Sequence, residues 1–267
     1  MMLPARRILV PDDFTPASRH TWGWARRFAA PESRLESLFV YALPTAPVMG
    51  LPVPPLSARA TKELIERMHE ERPDASSWRL EEGDAVSGIL RRARHADLVV
   101  LGTHGRTGVS RAAFGSVAEA VMRGAAVPVL AVRAAPKETR SVLAPVNLQA
   151  YAFKGLLLAA EVAAFLEAEL VLLHISPIGK REGNPRFVIN GLIERLPAEL
   201  RAKARPRLIL RGGNPIPDIL AESNRHGMLV LTAHRKSLLG DLVLGTTVER
   251  VVRLASVPVL AAPSAGR

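Results

Sequence analysis

The chain repeats itself. Residues 8–15, ILVPDDFT, open it, and residues 142–149, VLAPVNLQ, reopen it about halfway along. Residues 127–132, VPVLAV, close the first stretch; residues 257–262, VPVLAA, close the second. Between these markers, 82–90 (EGDAVSGIL) corresponds to 212–220 (GGNPIPDIL). Two copies of one pattern predict two homologous domains, 1–134 and 140–267, joined by a short Pro- and charge-containing linker at 134–140.

Within the first copy the periodicity alternates between strand and helix. Arg7–Pro11 is an apolar run suited to a central parallel strand. Thr15 then offers an N-cap oxygen, with Pro16 at the first helical position and a helix predicted to about Ala30. Leu35–Ala42 reads as the second strand, Ser57–Glu71 as a helix, Ser76–Glu81 as a strand and Asp84–His95 as a helix. Leu98–Leu101, a helix from Ser116 and a strand at Pro128–Arg133 complete the unit. The stretch from Pro44 to Pro55 holds five prolines, which exclude regular helix or central strand and predict a long loop. The second copy follows the same plan, with a shorter helix around Phe187–Leu196.

Strands alternating with helices predict an α/β fold with a mostly parallel sheet covered on both faces. Ligands of such sheets sit beyond the carboxyl ends of the strands, where strand order reverses. Asp13, after the first strand, and Gly102, ending the fourth, belong to that crevice. Gly102 and Gly105 are followed by nine residues and then Gly115-Ser116. These glycines allow phosphate oxygens to approach main-chain N–H groups without a Cβ in the way. The following helix start favours negative charge. No Gly-Lys-Ser/Thr follows, so this is not a Walker loop. Ser116-x-x-Glu119 is also a capping box, so the hydroxyl of Ser116 has two candidate roles, helix cap and phosphate ligand; Thr246-x-x-Glu249 repeats the pattern.

Other chemistry is narrowed by composition. The chain has no cysteine, which excludes disulfides, thiolate catalysis and cysteine zinc sites. Its seven histidines show no metal-ligand spacing. Asp12 and Asp13 are neighbours leaving a strand and point apart, which argues against a shared-proton dyad. The net charge of +11 comes from scattered arginines without interleaved aromatics, which argues against specific nucleic-acid contact. Apolar runs are too short to span a bilayer and no signal-peptide pattern opens the chain, so a cytoplasmic protein is expected.

The Gly102/Gly105/Gly115-Ser116 spacing, the VPDDFT start and the VPVLAV close resemble the universal stress protein family, and the likeness spans nearly the whole chain as two tandem domains. The resemblance implies two Rossmann-like domains of the adenine nucleotide alpha hydrolase-like type, each a mostly parallel five-stranded sheet flanked by helices. It implies ATP in the first domain, with any Mg²⁺ held through the phosphates. Pro11 and Asp13 would then face the adenosine end, and Val40 would contact the base through its backbone. Gly102, His104, Gly105, Arg106, Gly115, Ser116 and Val117 would surround the ribose and phosphates. The closing strands would pair between domains, giving an intramolecular pseudo-dimer; further homodimerisation is left open.

The second copy departs from the motif. Asp13 becomes Asn147, Gly102 becomes Thr232 and Gly105 becomes Arg235, while His234, Gly245 and Thr246 remain. A weak or empty second nucleotide site is expected, with Arg235 or Lys236 either solvated or filling its phosphate region. The function expected is a nucleotide-dependent sensor or stress-response module without dedicated catalytic machinery. Two alternatives stay open: a slow ATP hydrolase or phosphotransferase, for which Arg106 is the evident charge stabiliser, and an interaction protein that binds no nucleotide.

Overall fold

Apolar residues fill both parities of the central strands, and the fold buries both. We describe a computed structural model that covers residues 3–42, 56–103, 115–149, 152–179, 183–233, 235–238, 241–244 and 246–263. The first half runs β1 (Ala5–Pro11), α1 (Pro16–Phe28), β2 (Ala29–Tyr41), α2 (Ala58–Glu71), β3 (Ser77–Glu82), α3 (Ala85–Ala93), β4 (Leu98–Gly102), α4 (Ser116–Gly124) and β5 (Val129–Val132). The second runs β6 (Ser141–Pro145), α5 (Ala152–Phe165), β7 (Glu169–Pro177), α6 (Pro185–Glu194), α7 (Ala198–Ala204) and β8 (Arg207–Gly213). It continues with α8 (Pro215–Ser223), β9 (Met228–Ala233), β10 (Arg235–Leu238), β11 (Asp241–Leu244), α9 (Thr246–Leu254) and β12 (Val259–Pro263).

Ten strands form one sheet in the order β3-β2-β1-β4-β5-β12-β9-β6-β7-β8. Every neighbouring pair within a half is parallel, and the halves meet where β5 pairs antiparallel with β12, Leu130 opposite Leu260. That one antiparallel joint reverses strand direction, so the carboxyl ends of the strands in the two halves point in opposite directions. The α/β class, the mostly parallel sheet and the flanking helices are as the sequence predicts.

Alternation along each strand sends successive residues to opposite faces. Ile8, Val10, Leu98, Val100 and Leu130 join Trp24, Phe28, Leu156 and Ala159 of α1 and α5 on one face. Leu9, Val99, Leu101 and Val129 join Ile89, Val121, Ile219 and Val251 of α3, α4, α8 and α9 on the other. Both clusters run through the β5–β12 joint, and Phe28 meets Phe165 across it with ring centroids 5.8 Å apart. Leucines such as Leu98, Leu130, Leu143 and Leu170 are completely buried, each contributing roughly 1.5–3 kcal/mol of transfer free energy.

The linker is strapped to α1. The Trp24 indole N–H donates to the Ala134 carbonyl at 2.9 Å, Arg27 donates to the Lys137 carbonyl, and Gly23 leaves room for Pro136.

Four local expectations are corrected. Helix α1 stops at Phe28 rather than near Ala30, because β2 begins at Ala29 and pairs with Ala5 across an irregular register; the Ser33 hydroxyl donates to the Ala5 carbonyl at 2.7 Å. Thr15 occupies the N-cap position but makes no side-chain cap. The helix expected around 187–196 is followed by a second, α7, with Pro197 at the break. The chain between β9 and α9 holds the antiparallel hairpin β10–β11, which the repeat pattern does not predict. The proline-rich stretch from Pro44 to Pro55 lies outside the described residues.

Candidate functional site

Parallel strands bring their carboxyl ends to one edge, and three of them build the first-half crevice. Pro11 closes β1 opposite Leu38, Val40 is the penultimate residue of β2, and Gly102 closes β4 opposite Val132. Between them and the start of α4 lies a cavity of about 320 Å³. Its wall includes Pro11, Asp13, Val40, Gly102, Gly115, Ser116 and Val117, so one cavity gathers seven of the ten residues singled out from the sequence. His104, Gly105 and Arg106 lie outside the described residues. Sequence reasoning missed Ser18, Leu38, Ala85, Leu101, Thr103 and Ala118 on the same wall. Ile89, placed on the inner face of its helix by periodicity, lines it too.

Thr103 and Gly115 are held together, because the Gly115 N–H donates to the Thr103 carbonyl at 2.7 Å. Gly115 is extended (φ −64, ψ 140) and its carbonyl accepts the first helical bond, from the Glu119 N–H at 3.0 Å. The N-cap is therefore Gly115, and Ser116 is the first helical residue. This overturns the capping-box reading. Glu119 does not reach back either: its carboxylate takes Arg123 at 3.0 Å and Arg253 at 2.8 Å. The helix start carries no side-chain cap. First-turn N–H groups have no intrahelical acceptor, so they and the Ser116 hydroxyl stand at the cavity wall without a capping carboxylate among the described residues.

Asp12 and Asp13 serve different ends. Asp12 is buried against Arg72, with Oδ2 and Nε 2.5 Å apart and side-chain exposures of 0% and 4%. The contact is ionic, its angle lying outside that of a hydrogen bond. Arg72 also donates to Ser18 Oγ at 3.0 Å and to the Glu71 carbonyl at 2.6 Å. Asp13 instead accepts from the Thr15 N–H at 3.1 Å and the Thr15 hydroxyl at 2.6 Å. That bond is why Thr15 does not cap α1. Between them Phe14 takes the left-handed conformation (φ 60), held by the bond of its N–H to Asp12 Oδ1 at 2.8 Å. Its ring stacks on Phe39 with centroids 4.7 Å apart. Over the cavity, α3 approaches β2 closely because Gly88 faces Val40; a Cβ at Gly88 would lie 3.1 Å from a Val40 methyl.

The second half has a counterpart cavity of about 370 Å³ beyond β6 and β9. Asn147 and Thr232 line it. Thr232 does not simply stand where Gly102 does: a Cβ on Gly155 of α5 would fall 1.9 Å from its hydroxyl oxygen, so this glycine makes the room Thr232 occupies. Arg235 and Lys236 sit in β10, paired with Leu244 and Val243; the expectation about their side chains lies outside what is described. The hairpin spends backbone N–H and C=O groups on its own ladder.

Away from both cavities, Ser141 Oγ meets His226 Nδ1 at 2.8 Å, and His226 Nε2 meets Glu222 Oε1 at 3.4 Å. In the Nε2–H tautomer the serine donates to the ring and the ring donates to the carboxylate. Burial pushes the His226 pKa down, against the opposing pull of Glu222. Burial raises the Glu222 carboxyl, but Arg211, His226 and Arg225 outweigh it and hold the pKa below the ordinary value. Among the described residues, no group of three or more His, Asp or Glu side chains is arranged to hold a metal ion. No described helix is long and apolar enough to cross a membrane.

Comparison with known proteins follows the duplication. The sequence profile of the universal stress protein family matches residues 4–133 and again 138–263. A universal stress protein of Methanocaldococcus jannaschii is 31% identical over 154 residues, covering 50% of this chain and 85% of its own. One from Synechocystis is 26% identical over 170 residues, covering 61% of this chain and 57% of its own. Among solved structures, a universal stress protein from Archaeoglobus fulgidus superposes with a TM-score of 0.72 at 20% identity, covering 98% of this chain and 97% of that one. The structural likeness concerns the fold.

Proposed function

Because this chain belongs to the universal stress protein family, we propose that its first half binds one ATP in the cavity between β1, β4 and α4. The observation that carries the reading is the start of α4: Gly115 caps the helix and no side chain among the described residues closes it. The first-turn N–H groups and the Ser116 hydroxyl are thus left for an anion. The residues fit the group. Gly102, Thr103, Gly115 and Ser116 would take the phosphates, and Pro11, Asp13 and the Val40 backbone the adenosine end. Asp13 is oriented for a ribose hydroxyl by the two hydrogen bonds from Thr15. When bound, the triphosphate would supply the negative charge that the helix start receives, and any Mg²⁺ would come with it. His104, Gly105 and Arg106 complete the phosphate end by family resemblance.

The reading assigns binding rather than turnover. Nucleotide that binds the folded form and not the unfolded form shifts its stability by linkage, a route from nucleotide level to conformation or partner choice. A nucleotide-dependent sensor or stress-response module is the function we propose. The unit boundaries at 134 and 140 and the intramolecular pseudo-dimer are part of the same proposal. They are supported by the two profile matches and by the β5–β12 pairing.

The test is direct. Purified protein is denatured, and the released small molecules are separated by chromatography and quantified. We expect adenine nucleotide at about one per chain after incubation with ATP, sharply reduced in Ser116→Ala. An extract without nucleotide, under conditions where the protein is folded, would instead support the nucleotide-free interaction protein.

A further inference from the structure

The second-half cavity keeps none of the acidic side chains that line the first. Strand registers fix the correspondence, since Pro11 lies opposite Leu38 and Pro145 opposite Leu173. By that register Asp12 gives way to Val146, Ser18 to Ala152 and Asp13 to Asn147, and along α9 Ala118 gives way to Val248; each of these replacements lines the second cavity. Its described wall contains no Asp, Glu, Lys or Arg. The buried ion pair that stiffens the first crevice has no partner here, because a valine stands in place of its carboxylate.

What remains polar is a short set of amide, hydroxyl and imidazole groups. Asn147, Gln149, Thr232 and Thr247 contribute amide and hydroxyl groups. His174 is buried on the wall with Nδ1 2.9 Å from the Val146 carbonyl. Between β9 and α9 lies the β10–β11 hairpin, whose backbone polar groups pair with each other. A charged ligand would meet no Asp, Glu, Lys or Arg on the described wall to offset its lost hydration. An apolar one would exchange water for aliphatic contact.

We propose that the second cavity binds a small uncharged molecule, mainly apolar and with one or two hydrogen-bonding groups, and does not bind nucleotide phosphate. About 370 Å³ lies within the usual range for small-molecule sites. This proposal is independent of what the first cavity binds. The chain then has two sites of different chemistry, one in each half of one sheet, built from a single duplicated pattern.

The probe for the test is N-phenyl-1-naphthylamine, an uncharged molecule that fluoresces on leaving water. Titrated into the full chain, it should bind saturably at about one per chain, and saturating ATP should not displace it. Thr247→Trp, which places an indole on the cavity wall from an exposed helix position, should weaken binding at least tenfold, while Thr247→Ser should bind as wild type. Methyl-labelled isoleucine spectra give a readout that needs no variant. Ile175 and Ile219 should shift on adding probe, and Ile89, on the wall of the first cavity, should not. Displacement by ATP, unchanged binding in a folded Thr247→Trp variant, or shifts confined to Ile89 would each overturn the proposal. Failure of ATP to bind anywhere, with the probe still shifting Ile175 and Ile219, would count against the first-half reading alone.

Discussion

Asp12 and Arg72 show how far a single pair can bias the design of a site. Both are buried, and neither has water to fall back on. Removing one partner from such a pair is far more damaging than replacing both. Arg72→Met should therefore destabilise the protein by about 3–5 kcal/mol in urea unfolding. Asp12→Val combined with Arg72→Met should recover most of that loss, since the second half already carries valine at the equivalent place. His226 gives a second residue-scale prediction. Its folded pKa is lowered, first by burial, so below about pH 6.5 the unfolded chain takes up a proton that the folded chain resists. Stability should be full above that value and fall as the pH drops through the folded pKa. Urea midpoints measured across this range should lose that part of their slope in His226→Gln. The residues of the motif were legible because glycine and serine spacing is itself the signal. The hydroxyl assignments of Thr15 and Ser116 were not. Thr15 is drawn to Asp13, two residues before it, and Glu119 to an arginine from the other half, a partner that local sequence does not reveal.

At the scale of elements, α4 and α9 meet across the joint in a reciprocal exchange. Glu119 of α4 pairs with Arg253 of α9 at 2.8 Å, and Arg123 of α4 pairs with Glu249 of α9 at 2.8 Å. The two bridges are equivalent under the repeat, and Arg133 adds a bond to the Arg253 carbonyl at 2.6 Å. These groups are partly exposed, so each bridge is worth only about 0.2–1 kcal/mol after screening. Glu119→Gln with Glu249→Gln should lower stability by about 1 kcal/mol in dilute buffer, and added salt should shrink the difference. An unchanged salt dependence would show that the quartet is not what joins these helices. Long periodic elements such as α2, α3 and β4 were readable from pattern alone. The start of β2 and the β10–β11 hairpin were not. The first depends on Ala29 finding Ala5, and the second on a ladder between residues whose sequence carries no turn signature strong enough to announce it.

For the whole molecule, duplication has produced a continuous ten-stranded sheet with a crevice in each half. The joint is built like an interior, with leucine opposite leucine and one aromatic contact between α1 and α5. The order of the sheet strands is kept in both copies, while motif residues at the crevices differ. The fold was therefore legible from repeats and periodicity. The difference between the sites was legible only as lost motif residues, because the compensation of Thr232 by Gly155 arises from residues far apart in sequence. The central claim is that this chain holds nucleotide in one half only. A crystal structure of the full chain grown with ATP tests it most directly. The account predicts triphosphate density over Gly115 and Ser116, with adenosine between Asp13 and Val40, and none beside Thr232. Triphosphate density of equal strength at Thr232, or none at Gly115 and Ser116, would contradict it.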